Sequence, residues 1–366
     1  LLASLVAIAT LLAVDAAHAE RRPARARVVE PASRARADER PPELASPRFP
    51  SLDPALQASA ARVLARSRAP EGAIVVSDVR TGRILAWVSR GPVDHVKVPV
   101  APSASLFKVV SAAALLESGR VDESSRMCFA GGGERAITPA DLLEHPARDT
   151  ACVRFGDVLG KSINVVVARA VRKHLSREDL HAMAAALGVS GRVPIDVTVP
   201  ESTVSIPEDD FGRARAAAGF WNGKLSALGA LYMMHTIANG GERTRLSTER
   251  APTRVVLHRA MRERTASALR RMLEVTTRRG TCAKAFREAD GTPALGTIPV
   301  AAKTGTLIGG RPTRMYSWFA GFAPADAPEI AIAVLLADDV SWWMKANAAG
   351  RDVLKGYFAA RQPTAR

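Results

Sequence analysis

Apolar side chains in this chain repeat with a β-like rhythm near the start and the end of its long central region, and with a helical rhythm in between. Over residues 73–89 two β-rich apolar runs flank Arg80-Thr81-Gly82, which predicts a hairpin. Residues 93–103, interrupted by Pro99 and Pro102, read as a loop. Over 105–117, Leu106, Val109, Val110, Ala113 and Leu116 recur at helical spacing and Gly119 supplies a stop. Residues 126–154 contain a glycine triplet among scattered polar residues and read as a surface excursion. Helical patterns follow over 165–174 and 177–187, then a proline-rich stretch over 193–207. A second strongly apolar helix is predicted over 225–238, ended by Asn239-Gly240-Gly241. Beyond it come a short strand over 253–258, a helix over 261–277, strands over 298–306, 315–322 and 329–336, and a closing helix over 342–358. No internal repeat is visible. This order predicts one mixed α/β domain whose sheet joins the first hairpin to the last strands.

The first residues follow other rules. Residues 1–14, LLASLVAIATLLAV, are an almost unbroken apolar run, followed by Ala17-His18-Ala19 in small-x-small form. Such a run is short for a bilayer-crossing helix and suits the apolar part of an export signal. Further residues ahead of it would make an uncleaved anchor the alternative. Residues 20–50, rich in Arg, Ala and Pro and without periodicity, read as a disordered linker. The expected organisation is a signal peptide or anchor at 1–19, the linker at 20–50 and a folded domain at 51–366. The expected location is periplasmic or extracytoplasmic, with anchoring to the inner membrane through the N-terminus as the variant.

Of 366 residues, 47% are hydrophobic and 24% charged, the balance of a globular chain that can bury a core. The formal net charge is +15, yet it is spread along the chain, and aromatics are only 5%. Neither a dense basic helix nor a stacking platform is present, so nucleic acid is not an expected partner. Three cysteines, Cys128, Cys152 and Cys282, would meet an oxidising compartment after export. A bridge between Cys128 and Cys152 with Cys282 free, or three unpaired thiols, both fit the spacing. With no HExxH and no cysteine pair at ligand spacing, no metal is expected, and no other cofactor.

Only nine of the 51 basic residues are lysine, and two of them fall in chemically suggestive settings. Ser105-Leu106-Phe107-Lys108 puts a hydroxyl and an amine on one helix face. A serine needs a base, and a lysine among apolar neighbours loses basicity until it can serve as one. A serine at a helix start also offers its own N–H as an oxyanion donor. Taken alone, the same spacing suits a capped helix with a solvated lysine. Ser162-Ile163-Asn164 stands before a helix, where both polar residues could equally be caps. Lys303-Thr304-Gly305-Thr306 ends an apolar β-like run, where a plain strand end with a glycine turn is the alternative.

Together, in the order Ser-x-x-Lys, Ser-x-Asn, Lys-Thr-Gly, these segments resemble the penicillin-binding protein transpeptidase family, within the serine D,D-peptidase and β-lactamase superfamily, over roughly residues 72–358. GAIVVSDVRTGRILAWVS before the first motif and SWFAGFAPADAPEIAIAVLLADD after the last support the likeness, and Gly280-Thr281-Cys282 looks like the family's Gly-Thr-Ala segment. The resemblance implies an α+β fold with an antiparallel sheet flanked by helices and an all-helical subdomain. It implies a D,D-transpeptidase that cross-links peptidoglycan stem peptides and is acylated by β-lactams. Ser105 would be the nucleophile, Lys108 its base, and Ser162 the relay to the leaving group. Asn164 would bond the substrate amide and hold Lys108. Lys303, Thr304 and Thr306 would bind the terminal carboxylate, Gly305 would admit the substrate backbone, and the N–H groups of Ser105 and Thr306 would form the oxyanion hole. Cell-wall synthase components are the protein partners this implies.

The chain departs from the family in one place. Pro-Gly commonly precedes the nucleophile, whereas here the approach is Pro102-Ser103-Ala104, which leaves the local turn open. No glycosyltransferase region precedes the motifs, so a single activity is expected. A carboxypeptidase or β-lactamase shares the chemistry, but the interval from Ser162 to Lys303 is long for a class A β-lactamase. The nearest deacylating candidate, Glu201, sits in the unremarkable stretch PESTVSIP. A β-lactam or muropeptide sensor, or a scaffold, is the reading from another class.

Overall fold

The computed structural model describes residues 47–361 except Trp221 and Val340. The export or anchor segment at 1–19 and nearly all of the linker at 20–50 therefore lie outside the described residues, as do the last residues, 362–366. No helix among the described residues is long and apolar enough to cross a membrane.

The sheet forms as the alternation predicts. Strands β1 (Glu71–Asp78), β2 (Ile84–Arg90), β3 (Ala301–Gly309), β4 (Arg314–Ala323) and β5 (Ile330–Asp338) make one five-stranded sheet in the order β3-β4-β5-β1-β2. Every neighbouring pair is antiparallel. The β1–β2 turn is shaped by Asp78, whose side chain accepts from the Thr81 N–H at 2.7 Å and the Thr81 hydroxyl at 2.6 Å. Because side chains alternate across a strand, Ile74 and Val76 enter one core while Ala73 and Val75 enter the other. Both faces are therefore covered, which is why these strands read as continuous apolar runs rather than as alternating ones.

One face is covered by helices α1 (Pro54–Ser67) and α9 (Ala346–Ala359). Helix α1 was not among the expected elements, although its signals are ordinary. Asp53 caps it by accepting from Leu56 N–H at 2.9 Å, Pro54 occupies the first turn, and Leu56, Ala60, Val63 and Leu64 form the buried stripe. The other face carries the larger helical layer: α2 (Phe107–Ser118), α3 (Phe155–Lys161), α4 (Asn164–His174), α5 (Arg177–Ala186), α6 (Asp210–Ala217), α7 (Ala227–Ala238) and α8 (Glu263–Arg278). Helix α2 is buried on all sides from Phe107 to Leu116 and is the axis of that layer.

Several expected boundaries move for visible reasons. Helix α7 starts at Ala227 rather than two residues earlier, because Ser226 is its cap, accepting from Gly229 N–H at 3.1 Å. Helix α9 starts at Ala346, where the N–H is held by the Ser317 hydroxyl at 3.0 Å, and not at 342. Strand β3 begins at Ala301, after Pro299. The region 126–154 holds more order than a surface excursion requires. Arg126–Phe129 pairs with Ala151–Arg154, and Cys128 lies opposite Cys152 with their sulfurs bonded at 2.06 Å. Cys282 is a buried free thiol.

Candidate active site

The first motif sits where a short 3-10 turn, Ala104–Leu106, runs into α2. The turn is fixed from outside: the Trp318 indole donates to the Pro102 carbonyl at 2.8 Å, and the Ser103 hydroxyl donates to Asn222 Oδ1 at 2.9 Å. Ala104 takes φ 47°, the left-handed region that favours glycine, so the turn forms in spite of the altered approach. Ser105 is half-buried, and Lys108, one turn on, is fully buried. The Lys108 amine donates to Ser105 Oγ at 2.6 Å.

The second motif closes α3 and opens α4. Ser162 is the cap residue at φ 54°, again left-handed. Three described non-glycine residues have positive φ, and two of them, Ala104 and Ser162, are at this site, where backbone strain commonly concentrates. Asn164 is nearly buried and lines the cleft, and its side-chain nitrogen is committed to a neighbouring loop. Nδ2 donates to the carbonyls of Glu134 at 3.0 Å and Arg135 at 2.8 Å, while its backbone N–H donates to the Gly133 carbonyl at 2.7 Å. Asn164 thus anchors the loop after Phe129 over the cleft, and no bond from it to Lys108 is present among the described residues.

The third motif lies on β3, the sheet edge facing the α2 turn. Lys303 is fully buried; its amine donates to Ser162 Oγ at 3.1 Å and to the Thr304 carbonyl at 2.9 Å. A Cβ on Gly305 would stand 3.2 Å from Ala104 Cβ and 3.4 Å from Ser105 N, so the strand and the turn that carries Ser105 are in close contact. Thr304 and Thr281 share a hydrogen bond of 2.6 Å between their hydroxyls. Thr281 is held there because Gly280 backs onto α3: an added Cβ would stand 2.2 Å from the Gly160 carbonyl, and Thr281 N–H donates to that carbonyl at 3.0 Å.

These pieces line one cleft of about 240 Å³, formed by Ser105, Ser162, Asn164, Thr304, Gly305 and Thr306, with Glu134, Gly219 and Phe220 completing its walls. The two lysines stand behind it. Burial lowers the Lys108 pKa far below that of an ordinary lysine, the charge of Lys303 lowers it further, and Glu134 partly opposes both. Burial likewise brings Lys303 down to about 8, again opposed by Glu134. The arrangement can strip a proton from Ser105, pass protons along Ser162, and present a cation and hydroxyls to an anion. Among the described residues no group of three or more His, Cys, Asp or Glu could hold a metal ion. Sequence reasoning missed Glu134, Gly219 and Phe220. Glu134 was hidden in the glycine-rich loop, and Gly219 follows a helix, α6, that was not recognised.

Comparison with known proteins places the chain in a family. Residues 72–355 match the penicillin binding protein transpeptidase domain. Peptidoglycan D,D-transpeptidase PbpA of Mycobacterium tuberculosis is 27% identical over 247 residues, 64% of this chain and 49% of the relative. The Mycolicibacterium smegmatis PbpA is 27% identical over 259 residues, 65% of this chain and 50% of that protein. The chain thus spans about half the length of the curated relatives it matches. Among solved structures, the penicillin G acyl-enzyme complex of penicillin-binding protein A from M. tuberculosis superposes with a TM-score of 0.66 at 23% identity, covering 84% of this chain and 80% of that one. The transpeptidase domain of Burkholderia pseudomallei penicillin-binding protein 3 gives 0.70 at 19%, covering 86% and 97%. The fold is theirs, and the chain belongs to the penicillin-binding protein transpeptidase family.

Proposed function

We propose that this chain is a serine D,D-transpeptidase that cross-links peptidoglycan stem peptides through an acyl-enzyme on Ser105, and that β-lactams acylate the same hydroxyl. The observation that carries the reading is the 2.6 Å contact between the Ser105 hydroxyl and a fully buried Lys108 amine. A buried amine is held toward its neutral form, and a neutral amine at that distance can take the serine proton as the oxygen attacks. Relatives named D,D-transpeptidases and a fold shared with a penicillin G acyl-enzyme support it.

In this reading Ser105 Oγ attacks the carbonyl between the last two D-alanines while Lys108 accepts its proton. The N–H groups of Ser105 and Thr306 stabilise the oxyanion. Ser162, bonded to Lys303, relays a proton to the departing amine, and Lys303 with the hydroxyls of Thr304 and Thr306 holds the terminal carboxylate. Asn164 anchors the loop over the cleft and bonds the substrate amide. An amine then replaces the departed D-alanine and releases Ser105. The substrate places the domain outside the cytoplasm, with the N-terminal segment as its export signal or tether and cell-wall synthase components as partners.

A hydrolytic role has less support. Glu201, the deacylating candidate, is exposed, 3.7 Å from Arg192, and does not line the cleft. Incubation with a fluorescent penicillin tests the proposal. Stable labelling that disappears in Ser105→Ala supports it. Rapid turnover of the drug would assign a β-lactamase, and an unlabelled wild type would assign a scaffold.

A further inference from the structure

The cleft does not end at Thr304. A second, larger groove of about 620 Å³ adjoins it, running between the loop after Phe129 and the Gly280-Thr281 turn, and Glu134 lines both spaces. The junction is on a particular side of the reaction centre. Thr304 belongs to the carboxylate anchor of the proposed mechanism, and its hydroxyl is bonded to Thr281, which is a wall of the groove. The groove therefore opens from the end of the cleft where the terminal D-alanine would sit and from which it would leave. Whatever resolves the acyl-enzyme must bring its nitrogen to that vacated position.

Charge in the groove selects among visitors. The far wall holds Lys161 and Arg279, both paired with Asp157, at 3.5 and 2.6 Å. Arg135 beside them is tied to Asp141. Glu134 differs: among the described residues its carboxylate has no hydrogen-bond or ion-pair partner, and its side chain is exposed. Its backbone carbonyl, in contrast, accepts from the Asn164 amide at 3.0 Å, which holds the loop that carries the carboxylate over the junction. An exposed carboxylate with no hydrogen-bond or ion-pair partner among the described residues, carried on an anchored loop, is a place for a cation from solution.

We propose that this groove is the acceptor subsite and that Glu134 docks the primary ammonium of the incoming peptide, an inference that rests on the transpeptidase reading. The balance is simple. The ammonium enters on Glu134 and gives one proton to solvent. Its nitrogen bonds to the acyl carbon, the ester bond to Ser105 Oγ breaks, and the second proton lost by nitrogen passes through Ser162 and Lys108 to Ser105 Oγ. Water needs no such docking, so Glu134 favours aminolysis over hydrolysis.

The test is a partition experiment on the full chain with a D-alanyl thioester donor, comparing aminolysis with hydrolysis of one acyl-enzyme. Taking the ratio divides out any change in acylation caused by the altered field on Lys108 and Lys303. One acceptor, D-alaninamide, is cationic at the assay pH; the other, methoxyamine, is neutral. In Glu134→Gln the aminolysis-to-hydrolysis ratio should fall about three- to fivefold for D-alaninamide, the scale of one solvent-exposed ion pair, and hold for methoxyamine. Glu134→Asp should recover part of the loss. An equal fall for both acceptors, or none for D-alaninamide, overturns the proposal. A fall in hydrolysis itself would instead make Glu134 a base for water and also overturn it. A wild type that forms the acyl-enzyme but never aminolyses it removes the transpeptidase reading, and this inference with it.

Discussion

Gly219 lies against the carbonyl of Ala104, the residue before Ser105, so closely that a Cβ on Gly219 would stand 2.1 Å from that oxygen. Gly219 also has φ 92°, a conformation other residues adopt only under strain. Gly219→Ala should therefore displace the turn that carries Ser105, costing about 3 kcal/mol in denaturant unfolding and abolishing penicillin labelling. Ala104→Gly acts in the opposite sense. It relieves a left-handed alanine worth roughly 1–2 kcal/mol, partly offset by about 0.4–1 kcal/mol of added freedom in the unfolded chain. The expected outcome is a stability gain of up to about 1.6 kcal/mol with labelling retained.

The Cys128–Cys152 bridge closes the segment that carries Gly133, Glu134 and Arg135 over the cleft. Replacing both cysteines by serine should cost about 2–4 kcal/mol by freeing that loop in the unfolded chain. Asn164, Arg135 and Asp141 still hold the loop in the native state. Labelling at 25 °C should thus persist while the melting temperature falls, which calorimetry and a labelling gel together would show.

The hydroxyl pair of Thr281 and Thr304 orients one wall of the proposed carboxylate anchor. Thr281→Val keeps the shape and removes the bond. It should weaken donors bearing a terminal carboxylate by about three- to tenfold in kcat/KM, the scale of one hydrogen bond of roughly 1 kcal/mol, while donors amidated at that end change little. Steady-state kinetics with the paired donors checks it.

Much of this was legible in the sequence because the signals are local. The strands announce themselves as apolar runs, α2 as a helical stripe ended by Gly119, and the three motifs by spacing alone. Their convergence is consistent with that reading: Ser105 meets Lys108, and Lys303 meets Ser162. What escaped depends on tertiary contact. Glu134 is one polar residue in a glycine-rich loop until Asn164 pins that loop over the cleft. Gly219 is an ordinary helix-ending glycine until Ala104 is packed on it. The missed helix α1 is a different case, since its cap, its proline and its stripe were all readable.

In the proposed mechanism a neutral Lys108 activates Ser105, and the pH dependence of acylation tests this most directly. The base works only when unprotonated, so the acylation rate climbs with pH until Lys108 is fully neutral. Burial and the neighbouring Lys303 bring that point far below the range of a free lysine. Lys303 must stay charged to hold a carboxylate, so the rate falls again as pH rises past about 8. Measured with benzylpenicillin, the second-order acylation constant should give a bell with its alkaline limb near pH 8, its two apparent constants belonging to the coupled pair of amines. A rate that keeps rising about tenfold per unit up to roughly pH 10, as an unperturbed lysine base would give, contradicts the account.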